Sequence, residues 1–319
     1  MKKIKLFDPI IGISEEKEIV RILRSGFWAS GAGTQKVQQF EDKFCKYLGS
    51  DECIAVNSGT AALNLSLSLL EIKNKEVILP SLSFVSTAHA VKLNGGIPVF
   101  ADIDEKSLSI DPDQIKKLIS KKTAAILPVH FAGMACNMNE ILDICKENNI
   151  QLIEDAAHAA GTKYNRKNIG THGLAVCFSF HPVKNIAMIT GGLIAINHKE
   201  HKKFKKILNA KRWCGITNRH ELSYDVKQVG WNYYMNEFSA GLGLIQLKKL
   251  DKLNKIRRNI AKRYYDEIQL EQKMPFNLGC SYHFYWVMIK KRDKLIKKLK
   301  KDGIETGIHY KPIHNLSMY

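Results

Sequence analysis

AVCFSFHPVKN, residues 175–185, is the stretch on which the reading of this chain turns. It opens with an unbroken apolar run, Ala175, Val176, Cys177 and Phe178, of the kind that forms a strand buried on both faces. It ends with one lysine, Lys184, five residues beyond Ser179. An amine at the end of a buried strand can lose hydration, and desolvation disfavours its charged form. A neutral lysine amine is a nucleophile that forms a Schiff base with a carbonyl compound. The plainer alternative is a strand-end lysine pointing into water, the commoner fate of charged side chains. The choice depends on what else the chain brings to the same edge.

Working outward, short apolar runs alternate with helical patterns. Strands are expected at 53–56, 76–80, 97–103, 124–130, 150–155, 175–180 and 192–197. Helices are expected at 61–70, within 83–93, at 111–119 behind Asp111 and Pro112, and at 137–147. This alternation defines an α/β fold, with a mainly parallel, twisted sheet and helices on both faces. Ahead of it, residues 13–48 read as two helices around the loop SGFWASGAGTQ. Ser14 is the expected N-cap of the first, with Glu15 and Glu16 at the positive end of its dipole. Lys17 then denies it a capping box, and Trp28 reads as a core residue.

Beyond Asn197 the pattern is mostly helical. Residues 246–268 keep a helical apolar period at Leu247, Leu250, Leu253, Ile256 and Ile260. Two further strands, 281–289 and 304–310, flank a basic helix and make a small α+β unit. The expected division is a large domain, 1–245, followed by a connecting helix and a small C-terminal domain, 246–319.

The net charge of +18 raises the question of nucleic acid. The lysines are spread along helix faces, as in HKKFKKIL and KKRDKLIKKLKK, so a solvated surface is the better reading, and no nucleic-acid partner is expected. Such a field favours an anionic small substrate. No apolar run reaches the roughly 20 residues a membrane span needs, and the N-terminus lacks the features of a signal peptide. Seven cysteines without a CxxC pair read as reduced thiols of a cytoplasmic protein. No metal site is expected.

In sheets of this kind ligands gather at the carboxyl ends of the strands. Every chemically suggestive residue falls there. Ser58, Gly59 and Thr60 follow the first strand and open a helix, which suits an anion, although a plain N-cap explains the same residues. Ser179 adds a hydroxyl at the same edge. Phe84 follows the second strand and can stack on a flat ring or serve the core. Asp155 ends its strand as a carboxylate that is costly to bury unpaired. It can take a structural salt bridge, or face the protonated ring nitrogen of a pyridoxal-phosphate site. His158 lies three residues further on and can reach a ring oxygen or sit satisfied in the core.

These residues lie in motifs that resemble a known family. NSGTAAL (57–63), EVILPSLSFVSTAHAV (76–91), PVFADID (98–104), LPVHFAG (127–133), IEDAAHAAG (153–161), FSFHPVKN (178–185), GWNYYMNE (230–237) and GIHYKPIH (307–314) follow one another in the order seen in the DegT/DnrJ/EryC1/StrS sugar aminotransferases. The resemblance implies fold type I and pyridoxal 5'-phosphate (PLP) as cofactor. It implies that Lys184 is the Schiff-base lysine, Asp155 the pyridine-nitrogen partner and His158 the contact to the ring hydroxyl. Ser58, Gly59, Thr60 and Ser179 then hold the phosphate and Phe84 stacks on the ring. Asn232 matches an asparagine that reaches the phosphate from the neighbouring subunit, which implies a homodimer with shared active sites. His309 and Tyr310 fall near a nucleotide-sugar pocket, and His181 leans the reading towards a 4-keto sugar. Glutamate is the implied amino donor.

Three features depart from the family pattern. Tyr234 stands where many members carry arginine, and residues 186–192 lack an acidic residue. The family usually continues beyond the segment that ends here at Tyr319, so the resemblance implies an incomplete small domain. Lys184 argues against the related sugar dehydratases, which carry histidine there. Transamination of a non-nucleotide cyclic ketone of the inosose type, and a non-catalytic basic binding protein on the same fold, remain the alternatives.

Overall fold

A computed structural model describes residues 3–220 and 223–319. Its frame is a seven-stranded sheet made by β1 (Glu52–Val56), β2 (Glu76–Pro80), β3 (Ile97–Ala101), β4 (Thr123–Ile126), β5 (Gln151–Asp155), then, after the small hairpin β6 (Lys163–Tyr164) and β7 (Lys167–Asn168), β8 (Ala175–Ser179) and β9 (Gly192–Ile196). The order is β1-β9-β8-β5-β4-β2-β3. The pairs β2/β3, β2/β4, β4/β5 and β5/β8 are parallel. Only β9 runs against the others, pairing antiparallel with both β8 and β1. Its reversal follows from its connection. Residues 180–191 join β8 to β9 without a helix, so the chain turns back at the edge where β8 ends.

Both faces of the sheet are covered, as a mainly parallel sheet requires. One face carries α2 (Lys36–Leu48) and, later in the chain, α6 (Met138–Asn148) and the long α8 (Glu237–Glu267), with α1 (Ile13–Ser25) packed on α8; the other carries α3 (Gly59–Leu67), α4 (Ser86–Leu93) and α7 (His201–Lys211). The short α5 (Pro112–Leu118) sits beside β3 and α6. Strand residues alternate between the faces. Ile78, Ile126 and Phe178 pack with Phe40 and Phe44 of α2, whereas Val77, Leu79 and Cys177 pack with Leu63 and Leu65 of α3. After α7 comes a hairpin, β10 (Ile216–His220) and β11 (Ser223–Val226), which the sequence reading did not contain.

Several local expectations are corrected. The N-cap of α1 is Gly12, two residues before Ser14. Glu15 thereby becomes the third helical residue, and its carboxylate accepts from the Gly12 N–H at 3.1 Å, the half of a capping box that Lys17 had been thought to forbid. Trp28 is 50% exposed rather than core, its indole donating to the Leu23 carbonyl at 3.2 Å. Neither 281–289 nor 304–310 forms a strand. Each makes a single isolated bridge, Lys273–Val287 and Ile4–Ile304, and the backbone bonds of 281–289 are divided between residues 132–133 and 272–274. A ladder needs one continuous neighbouring edge, and here the backbone bonds are split between two short segments while the side chains pack with Phe131 and Met134. The basic helix of this region is α9 (Arg292–Lys301). The expected boundary at 245/246 lies inside α8. Among the described residues no helix is long and apolar enough to cross a membrane.

The stretch around Lys184 is anchored by rings. Phe178 meets Phe44 edge-on at 5.3 Å, and Phe180 meets Phe40 and Phe44 at 5.3 and 5.4 Å. Both phenylalanines are fully buried. Phe178→Ala should lower stability by about 3–5 kcal/mol, read as a reduced urea midpoint with an unchanged slope; a loss under about 1 kcal/mol would show that these rings are not an anchor.

Candidate active site

The alternation that buries Phe178 and Phe180 turns Ser179 the other way, onto the first turn of α3. The fit there is close. A Cβ on Gly59 would lie 2.7 Å from Ser179 Cβ and 3.3 Å from its Cα. A Cβ on Gly192 would lie 2.3 Å from the Ser58 carbonyl oxygen and 2.7 Å from Gly59 N. Only glycine lets β8, β9 and the start of α3 approach this closely. Ser58 is the N-cap, its hydroxyl accepting from Ala61 N–H at 3.1 Å. The plain reading of Ser58 is therefore correct, and it is compatible with the anion reading. The N–H groups of Gly59 and Thr60 belong to the first turn, where a helix supplies no carbonyl partners. Ser58, Gly59, Thr60 and Ser179 thus converge on one helix terminus.

Lys184 sits in the connection from β8 to β9. Its own N–H donates to the His181 carbonyl at 2.8 Å, and Met188 N–H closes back on the Phe180 carbonyl at 3.0 Å. The neighbouring Asn185 is buried, and its amide donates to Asn254 of α8 at 2.8 Å and to the Ser281 carbonyl at 3.0 Å. The loop is therefore fixed against both the long helix and the C-terminal segment. Burial lowers the Lys184 pKa to about 8, while the charge of Asp155 pulls it the other way. Lys184 itself is half-buried in this connection.

Asp155 ends β5 in the same interior, 4% exposed. Thr87 of α4 donates to one carboxylate oxygen at 2.9 Å and Ala157 N–H to the other at 3.0 Å. Burial raises its pKa; those two hydrogen bonds and the charges of Lys184 and His130 oppose the rise. Among the described residues it forms no salt bridge. Just behind it, His130 and Glu154 form a fully buried pair at 2.9 Å, with His130 Nδ1 accepting from Cys136 N–H at 3.2 Å.

His158 is buried, with Nε2 3.2 Å from the Tyr310 hydroxyl and no partner for Nδ1. Burial holds its pKa well below the usual range, and Lys184 and His309 push in the same direction, so the ring is neutral. Phe84 is 54% exposed, which corrects the core alternative, and its ring lies 5.8 Å from that of Tyr310. His309 stacks on Phe284 at 4.5 Å, and its pKa is lowered by burial and by Lys184. His181 is exposed at the rim, its pKa lowered by partial burial and by Lys184. Asn232 is exposed on a segment beside β1, with its carbonyl 3.3 Å from Asn57 Nδ2. Tyr234, on the same segment, bridges to Val56.

Two residues here were not anticipated. Thr87 holds Asp155, and its place one turn after Phe84 was the available clue. His283 lies 4.7 Å from the His158 ring with its own Nδ1 unpartnered, and nothing in the sequence separates it from the other histidines. Among the described residues no group of three acidic, histidine or cysteine side chains can hold a metal ion.

The sequence of residues 9–319 matches the DegT/DnrJ/EryC1/StrS aminotransferase family, and the chain belongs to that family. It is 36% identical to the spore coat polysaccharide biosynthesis protein SpsC of Bacillus subtilis over 324 residues, which is 96% of this chain and 82% of SpsC. Among solved structures it is similar to the PLP form of Spr1654 from Streptococcus pneumoniae, a candidate sugar aminotransferase, with a TM-score of 0.92 and 27% identity over 100% of this chain and 87% of that one. It is also similar to Helicobacter pylori PseC, an aminotransferase involved in the biosynthesis of pseudaminic acid, with a TM-score of 0.88 and 29% identity over 100% of this chain and 87% of PseC. The chain is a sugar aminotransferase of fold type I, and PLP is its cofactor. The residues present suit that group. They offer a helix terminus for a phosphate, a buried carboxylate that forms no salt bridge among the described residues, an unpartnered imidazole nitrogen and an exposed aromatic face.

A lysine whose pKa falls from 10.5 to about 8 on folding makes the folded state costly to protonate. Below pH 8 the full penalty applies, and it fades as pH rises towards 10.5. Lys184→Met should therefore stabilise the cofactor-free protein at pH 7 by about 3 kcal/mol, and by much less at pH 10, in urea unfolding. An equal effect at both values would mean that the amine is not desolvated. Gly59→Ala should weaken PLP binding at least about tenfold in fluorescence titration, since the helix start must shift away from Ser179; unchanged affinity would detach this turn from the phosphate.

Proposed function

We propose that this aminotransferase moves an amino group from glutamate to the keto carbon of a nucleoside-diphosphate sugar, with a preference for a 4-keto sugar. The observation that carries the reading is the coupling, at one sheet edge, of Lys184, whose pKa burial lowers to about 8, with a buried Asp155 that forms no salt bridge among the described residues and feels the charges of Lys184 and His130. Bound PLP supplies the carbonyl that carries the amino group between substrates and a ring that takes up electrons.

The chain's own groups do the rest. Asp155 keeps a proton on the ring nitrogen, and Thr87 and Ala157 N–H keep its carboxylate aimed there. The N–H groups at the start of α3, with Ser58, Thr60 and Ser179, hold the phosphate. His158, neutral and with Nδ1 free, meets the ring hydroxyl, and Phe84 covers one ring face. Lys184 Nζ, neutral often enough near pH 8, would move a proton from the donor's amine-bearing carbon to the cofactor's former carbonyl carbon, and in the second half-reaction from that carbon to the sugar carbon. Such alternation of donor and acceptor on one site gives ping-pong kinetics.

His309 and Tyr310 face the acceptor sugar, and His181 stands at the rim beside it. The net charge of +18 favours a diphosphate-bearing acceptor over a neutral cyclic ketone. Asn232 is exposed rather than directed into its own site, which suits a role towards a second copy in a homodimer. Seven unbonded cysteines suit a reducing, cytoplasmic setting.

A panel of keto-sugar nucleotides with glutamate, read by mass spectrometry, should yield an amino sugar from at least one 4-keto member. Amination of an inosose with no sugar nucleotide converted would overturn the substrate assignment. Lys184→Ala should bind PLP without the wild-type visible absorbance band and lose activity by several orders of magnitude. A variant that keeps the band would remove Lys184 from its role.

A further inference from the structure

Away from this edge, at the opposite end of β1, a surface cavity of about 430 Å³ is lined by residues that include Cys45, Ser50 and Cys53. Cys45 is the last-turn cysteine of α2 and is half-buried; Cys53 is the second residue of β1 and is buried. Ser50 stands between them. Its hydroxyl is 3.6 Å from Cys45 Sγ and 3.4 Å from Cys53 Sγ, and its carbonyl accepts from the Cys45 thiol at 3.1 Å. One serine thus orients both sulfurs towards a single point in a cavity that small molecules can enter. None of the other five cysteines shares this arrangement with a second thiol among the described contacts.

We propose that Cys45 and Cys53 form a reversible dithiol–disulfide couple that responds to peroxide. The roles differ by environment. Hydrogen bonding from Cys53 lowers the Cys45 thiol to about 7, burial opposing and Ser50 assisting, so Cys45 is the sulfur that ionises first, giving up its bond to the Ser50 carbonyl. Cys53 is pushed up by burial and stays a thiol. The Cys45 thiolate attacks one peroxide oxygen; the O–O bond breaks, and the hydroxide released takes up a proton to leave as water. Cys45 is then a sulfenic acid. Cys53 sulfur attacks Cys45 Sγ, the S–O bond breaks, and the hydroxyl leaves as a second water with the Cys53 proton. Two thiols lose two electrons and two protons, and one peroxide becomes two waters. The new bond ties the end of α2 to the start of β1, and a dithiol reductant reverses it.

The test uses the PLP-loaded full chain, titrated with hydrogen peroxide and mapped by mass spectrometry without reduction. The expected product is a peptide pair linked between residues 45 and 53, about two mass units lighter than the dithiol and restored by dithiothreitol. Cys53→Ala should arrest the reaction at a Cys45 sulfenic acid that dimedone captures. The wild-type map alone decides the matter if that variant fails to fold. Oxidation that falls first on the exposed Cys214, or that takes Cys45 to the sulfinic acid without a linked peptide, overturns the proposal.

Discussion

A half-buried lysine amine coupled by charge to a buried carboxylate is the constraint on which the rest depends. Folding gives up hydration at Lys184 and at Asp155, and each is costly by itself. Their opposite charges return part of that cost but not all of it, since both groups stay shifted towards their neutral forms. A structure keeps such a pair only where the surroundings over-determine it. Here they do so through Asn185 on α8, Thr87 on α4 and the ring cluster under Phe178 and Phe180.

The same ring cluster links packing to chemistry. Strand side chains alternate, so burying Phe178 and Phe180 on α2 obliges Ser179 to face α3. Ser179 then meets Gly59, and the absence of a Cβ at Gly59 and Gly192 lets the start of α3 close on the sheet. A helix terminus with free N–H groups is thereby brought to the edge that also carries Lys184 and Asp155. Packing of hydrocarbon on one face decides where an anion can be held on the other.

The misread elements fail for identifiable reasons. Residues 281–289 have strand composition, but strand propensity records fit to a half-buried surface rather than a ladder partner, and their backbone bonds are split between 132–133 and 272–274 with no continuous edge. These residues instead pack rings and histidines against Phe131 and His158. Ser14 is a good N-cap type, yet Gly12 takes the position because Glu15, also held by Gln246 and Lys249 of α8, reaches back to its N–H. Trp28 stays at the surface because its indole nitrogen finds the Leu23 carbonyl there.

Sequence by itself determined the α/β class, the strands of the sheet and the edge at which Lys184, Asp155, His158, Ser58 and Ser179 would meet. Those depend on local periodicity and on the rule that parallel strands deliver their ends to one side, both of which are written in the order of residues. Tertiary structure alone decided the reversal of β9, the hold of Thr87 on Asp155, the place of His283 beside His158, and the approach of Cys45 to Cys53 around Ser50. Each of these is a contact between segments whose separation in space is set by packing of the whole core, and no short window of sequence carries that information.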